Sequence, residues 1–129
     1  MTLKVIRDWL KPQIAGLNTA FIGRTDPTKE KVICIYPLST STDLPAIGGN
    51  DNKSYRTKGI RILIGWSKNC DTSEQVAQNI YDIFNGQSAT IDGKDVFFKM
   101  KTDEPVGVGA NDHDIYEFVI NLEMTIKEG

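Results

Sequence analysis

Apolar and polar positions alternate most cleanly near the end of the chain. From 116 to 126 every even position is apolar: Tyr116, Phe118, Ile120, Leu122, Met124 and Ile126. Between them stand Glu117, Val119, Asn121, Glu123 and Thr125. A period of two predicts a strand with one face on a core and the other on something wetter. Residues 55–67 repeat the pattern, with Ile60, Ile62, Ile64 and Trp66 on one face and Thr57, Gly59, Arg61, Leu63 and Gly65 on the other. Shorter strands are expected at 19–23 and at 31–36, the latter β-branched at Val32, Ile33 and Ile35. The Thr-Asp-Pro-Thr segment at 25–28 supplies a turn between them, which predicts a hairpin. Residues 89–91 and 95–101 flank Asp92-Gly93, a second hairpin signal.

Helical spacing occurs twice. Over 2–11, Leu3, Ile6 and Leu10 share a face with Val5 and Trp9 beside it, and Pro12 stops or kinks the helix. The second helix follows a turn at 69–72. Thr72 with Gln75 predicts a capping box, and Asn85-Gly86 is a C-terminal stop after Phe84. Its core face is Val76, Ala77, Ile80, Ile83 and Phe84. Its other face, Gln75, Gln78, Asn79 and Asp82, lacks the Lys and Glu mixture of a freely solvated helix, and is a candidate protein contact. Residues 37–54 form a long polar loop, and 105–109 an extended link. The order αβββαβββ predicts a single α+β domain over 1–129, with a mixed, largely antiparallel sheet and two helices packed on it.

Composition adds limits. A chain of 129 residues with eleven aromatics should bury enough surface to fold without disulfide or metal. No apolar run reaches the ~18 residues of a membrane span, and the N-terminus lacks a signal-peptide core, so the chain is expected in the cytoplasm where it is made. Cys34 and Cys70, the only cysteines, are expected as free thiols there.

Charge is unevenly spread. Residues 1–70 hold eleven Lys or Arg against five Asp or Glu, and residues 71–129 hold four against twelve. The halves either neutralise each other within one fold, or the basic side meets the acidic side of a neighbouring copy. The second arrangement is a head-to-tail contact of the kind that closes a ring.

No catalytic, cofactor or metal site assembles from these residues. His113, in Asn-Asp-His-Asp at 111–114, is the only histidine and fits neither an EF-hand nor a zinc spacing. Gly107-Val-Gly109 opens like a dinucleotide fingerprint, but lacks the third glycine and precedes a strand. These glycines suit a bend instead. Cys34 lies in an apolar strand, no Gly-x-Ser-x-Gly elbow is present, and Asp112 and Asp114 are loop carboxylates that solvent keeps ionised. Lys53, Arg56, Lys58 and Arg61 form a basic cluster near Tyr55, but Lys58 and Arg61 fall on opposite strand faces.

Several segments resemble the tail terminator proteins of long-tailed bacteriophages, also called minor capsid or tail completion proteins. They are Phe-Ile-Gly at 21–23, Ile-Tyr-Pro-Leu at 35–38, Lys-Gly-Ile-Arg-Ile-Leu-Ile-Gly-Trp at 58–66, Ala-Gln-Asn-Ile-Tyr-Asp-Ile-Phe at 77–84, and the corner and strand at 105–124. The resemblance implies a non-enzymatic virion protein without cofactor. It implies a homo-oligomeric ring, usually a hexamer, that caps the tail tube and stops its polymerisation. Its partners would be other copies of itself, the tail-tube protein and a neck or head-completion protein, with DNA only passing through the lumen. It would assemble in the host cytoplasm and sit at the tail–neck junction, with no membrane. The family's contact residues follow no fixed motif. From the residues themselves, Glu117, Val119, Asn121 and Glu123 are the first candidate subunit contact, and Gln75, Gln78, Asn79 and Asp82 the second. The loop at 38–54 is the candidate axial contact, ordered on assembly. The rival readings are a head-to-tail neck adaptor and, in a different class, a small ligand-binding regulatory α+β module. A minor nuclease is disfavoured by the lack of a metal-ligand cluster.

Overall fold

The computed structural model describes residues 1–39 and 55–127; of the loop expected at 37–54, Pro37 and Leu38 instead continue the preceding strand, opposite Ile60 and Gly59, and residues 40–54 lie outside the described residues. The long alternating segment becomes the centre of the sheet. It is β7 (Tyr116–Lys127), and one whole edge of it pairs with β3 (Tyr55–Gly65), from Gly65 opposite Glu117 to Tyr55 opposite Lys127. Its other edge is shared. β5 (Lys94–Met100) pairs along 122–126, and β6 (Val106–Ala110) pairs along 116–119. Between the two, the Asn121 carbonyl accepts from the Lys101 amide at 3.0 Å.

With β1 (Thr19–Ile22), β2 (Val32–Leu38) and β4 (Ser88–Ile91), the strand order is β1-β2-β3-β7-β5-β4, with β6 on β7 beside that path. The sheet curls as a half-barrel, and helices α1 (Leu3–Leu10) and α2 (Cys70–Phe84) pack against one face of it. The fold is α+β as expected, but strands dominate it.

The even residues of β3 and β7 lie on that inner face, as their period predicts. Ile60, Ile62, Ile64, Ile120, Leu122, Met124 and Ile126 are all fully buried there. Ile6 and Leu10 of α1 and Ala77, Ile80 and Phe84 of α2 close over them. Phe84 touches two further rings, its centroid 6.0 Å from Trp9 and 5.0 Å from Phe98. Tyr81 is also buried, a position the helical pattern did not single out. Its hydroxyl donates to the Thr102 carbonyl at 2.7 Å, which satisfies the polar end of an otherwise apolar contact.

Three local expectations are corrected. β1 and β2 are not a hairpin: they pair in parallel, Thr19 beside Val32 through Ile22 beside Ile35. The Asp-Pro-Thr turn is present, with the Asp26 carboxylate accepting from the Thr28 amide at 3.0 Å. It bends a nine-residue crossover at 23–31 rather than joining two antiparallel strands. The cap of α2 is Asn69, not Thr72: the Asn69 side chain accepts from the Thr72 amide at 3.0 Å, and Gln75 bonds Asp71 instead. The link at 105–109 is largely strand β6, with a bulge between Gly107 and Gly109. Glycine suits both bulge positions, the second more strictly. A Cβ on Gly107 would stand 3.3 Å from the Phe118 ring, and Gly109 has φ +95°. Pro12 breaks the helix as expected: α1 ends at Leu10, and Pro12 sits in the 3₁₀ turn, Lys11–Gln13, that follows it.

Candidate functional site

The face of the sheet away from the helices carries the odd residues of β3 and β7, and with them the first candidate contact. One end of this face is covered by loops. Val32, Cys34 and Ile115 are buried there, at 2%, 0% and 1% exposure, apart from the main core. The crossover at 23–31 lies over β2, placing backbone groups of Gly23 and Arg24 at the Cys34 thiol and that of Thr25 at the Tyr36 hydroxyl. The Asn-Asp-His-Asp loop closes the other side. Asn111 ties the two loops together, because its side chain donates to the Pro27 carbonyl at 3.0 Å and to Glu117 at 3.1 Å. Its Oδ1 accepts from the amides of His113 at 2.8 Å and Ile115 at 3.2 Å. The motif that invited a metal reading is thus a turn that pins a crossover. Among the described residues no group of three or more His, Cys, Asp or Glu side chains is placed to hold a metal.

Burial of this small second core shows in its titrating groups. Burial pushes the Cys34 thiol up, and burial together with the hydrogen bond to Cys34 pushes Tyr36 up to about 12. A tyrosine that holds its proton more tightly when folded stabilises the fold below its unfolded value of about 10. That contribution is lost as pH rises from there through the folded value. Tyr36→Phe is therefore expected to flatten the fall of unfolding free energy above pH ~10, measured by urea denaturation along a pH series. Some slope should remain, since burial also raises Cys34 and Tyr81. An unchanged slope would show that Tyr36 is not buried in this way.

The first candidate residues all lie half-buried on this face, and three of the four are held by side chains of the same molecule. Glu117 accepts from Asn111, Asn121 accepts from Arg61 at 2.9 Å, and Glu123 pairs with Lys101 at 3.2 Å. Val119 stands between Leu63 and Val106 on neighbouring strands. The exposed apolar groups nearby were not anticipated: Tyr55, Phe97, Val106 and Val108 are 44–58% exposed. The signal for one of them was present, since Phe97 and Phe98 are adjacent in a strand and only one of them can face the core.

The second candidate lies on the helix side. Gln75, Gln78, Asn79 and Asp82 are all exposed on α2, and Gln78 donates to Asp82 at 3.0 Å. Asn79 also borders a cleft of about 240 Å³ between α2 and the 3₁₀ turn, lined by Gln13, Ile14, Val76, Ile80 and Ile83. The structure therefore sets the two candidate contacts on opposite sides of the sheet. Lys53 of the basic cluster lies outside the described residues, and Arg56 and Lys58 fall near the start of β3, with Arg61 further along it.

A family model described as bacteriophage tail terminator protein matches residues 10–128, nearly the whole fold. The chain belongs to the bacteriophage tail terminator family. No curated protein matches the chain. A tail terminator is a structural component of the virion, and the parts found here suit a scaffold: a bulge, a pinned crossover and two faces of polar side chains. In this tail terminator, no helix among the described residues is long and apolar enough to cross a membrane.

Proposed function

We propose that copies of this chain close into a ring, six-fold by the family resemblance, on the end of a phage tail tube. The ring stops tube polymerisation and offers its other face to a neck or head-completion protein, while DNA passes through the lumen. Assembly takes place in the host cytoplasm, and the finished ring stays at the tail–neck junction. The observation that carries this reading is the family match across 10–128. The charge division supports it, since a ring subunit needs one face complementary to another on its neighbour.

Co-incubation with tail-tube subunits tests the proposal. The terminator is expected to shorten the tubes and narrow their length distribution in proportion to its concentration. Tubes of unchanged length, with the protein bound only to isolated head connectors, would favour the neck adaptor. A monomer that leaves tubes unchanged and gains melting temperature with one small molecule would favour the ligand-binding module.

A further inference from the structure

The sheet has three edge strands among the described residues: β1, β4 and β6. β6 is unusual for an edge. Its five residues, Val-Gly-Val-Gly-Ala, are all exposed and none is charged. Val106 is 44% and Val108 58% exposed. A bare, uncharged edge is a template for another strand, and proteins commonly blunt such edges with lysine, proline or a covering segment. β6 carries no lysine or proline, its only such device is the bulge between Gly107 and Gly109, and among the described residues no strand pairs with its outer side. At the far end of the same sheet, β1 reads Thr-Ala-Phe-Ile, equally uncharged; it is less exposed than β6, but among those residues no strand pairs with its outer side.

Direction and charge fit these two edges to each other. β1 runs parallel to β2, and β2–β3, β3–β7 and β7–β6 are each antiparallel, so β6 runs opposite to β1. A second copy placed to continue the sheet brings β6 against β1 as an antiparallel pair. From 103 to 117 the chain carries Asp103, Glu104, Asp112, Asp114 and Glu117 with no Lys or Arg. In the antiparallel arrangement Asp103 and Glu104, just before β6, meet the end of β1 that carries Arg24. Asp112 and Asp114, just after β6, meet the start of β1 at the uncharged Asn18; Lys31, whose carbonyl accepts from the Asn18 amide at 2.7 Å, stands on the β2 side of that edge. The third edge, β4, runs into Asp92 and offers β6 no such complement.

We propose that β6 of one copy adds to the open edge of β1 of the next, so that a single sheet runs from subunit to subunit. The contact is head-to-tail, which is the kind that closes into a ring. This inference rests on the ring reading above and names the surface that builds it.

Amide hydrogen exchange on the full chain, compared between dilute monomer and assembled protein, tests the pairing, alongside a Val106→Lys, Val108→Lys double variant. The expected result is slowed exchange at both 106–110 and 19–22 on assembly. The double variant should keep the monomer's melting curve but lose the multimeric species, because two lysines now line the edge. Rings that form with both segments still exchanging freely would overturn the pairing and leave the ring reading standing. So would rings formed equally well by a correctly folded double variant. Should the double variant fail to fold, the exchange pattern of the unaltered protein still decides. A chain that stays monomeric at every concentration and at tube ends would overturn both.

Discussion

Phe84→Ala is expected to remove about 3–5 kcal/mol of stability, the usual cost of emptying a fully buried phenylalanine site. Phe84 has no exposed surface, and it links α2 to Trp9 of α1 and Phe98 of β5. Its loss leaves a void where two helices and the sheet meet, and removes an edge-to-face contact with Phe98 worth about 0.5–1.5 kcal/mol beyond its area. Against a total stability of about 5–15 kcal/mol for a domain of this kind, the variant should be near its threshold. Urea denaturation should show the loss as a lower midpoint with an unchanged slope. A cost below about 1 kcal/mol would mean that the site collapses around the truncation, or that the aromatic cluster is not formed.

Asn111→Ala acts on the other side of the sheet. One side chain there makes four hydrogen bonds, two accepted from backbone amides and two donated to Pro27 and Glu117. At about 0.5–1.5 kcal/mol each, with partial replacement by water at the exposed ones, the expected loss is about 2–4 kcal/mol. The effect should also be local. With the crossover unpinned, Val32, Cys34 and Ile115 lose their cover while the helix-side core stays packed. In a Cys70→Ser background, the Cys34 thiol should then react with a thiol reagent under native conditions, well below the unfolding midpoint. Phe84→Ala should expose Cys34 only through global unfolding. Equal Cys34 reactivity in the two variants at matched stability would refute the idea of two separate cores.

The contrast between these two sites tracks what the chain reveals before folding. The inner core was legible because Ile60, Ile62 and Ile64, and Phe118 to Ile126, keep a strict period of two over long strands, and side-chain alternation follows directly from the pleat. The end of α2 was legible because Asn85-Gly86 has few other uses. The second core was not, because its three members share no period. Val32 and Cys34 alternate with Ile33 and Ile35, so the strand reads apolar on both faces, and only the crossover explains why both faces are buried. That crossover was misread because Asp26-Pro27-Thr28 forms the same local turn whether the chain reverses or crosses over. The contact that holds the crossover is tertiary: Asn111, 84 positions further along the chain, bonds the Pro27 carbonyl across the sheet. β6 was missed for a related reason. Its two glycines lower strand propensity, yet the bulge favours them: Gly109 has a positive φ, and a Cβ at Gly107 would crowd Phe118.

The candidate contact on β7 also looks different in place. Glu117, Asn121 and Glu123 read as surface groups awaiting a partner, and each has one within the same molecule. Among the described residues, open strand edges and exposed apolar groups lie elsewhere, at β6, Tyr55 and Phe97. An assembly that uses backbone edges leaves little trace in side-chain patterns.

Cryo-electron microscopy of tail tubes grown with this protein tests the central claim most directly, by averaging the tube ends. A closed ring of copies seated on one end of each tube, joined through a continuous sheet, is expected. Tubes with bare ends, or with the protein scattered along their length, would contradict it.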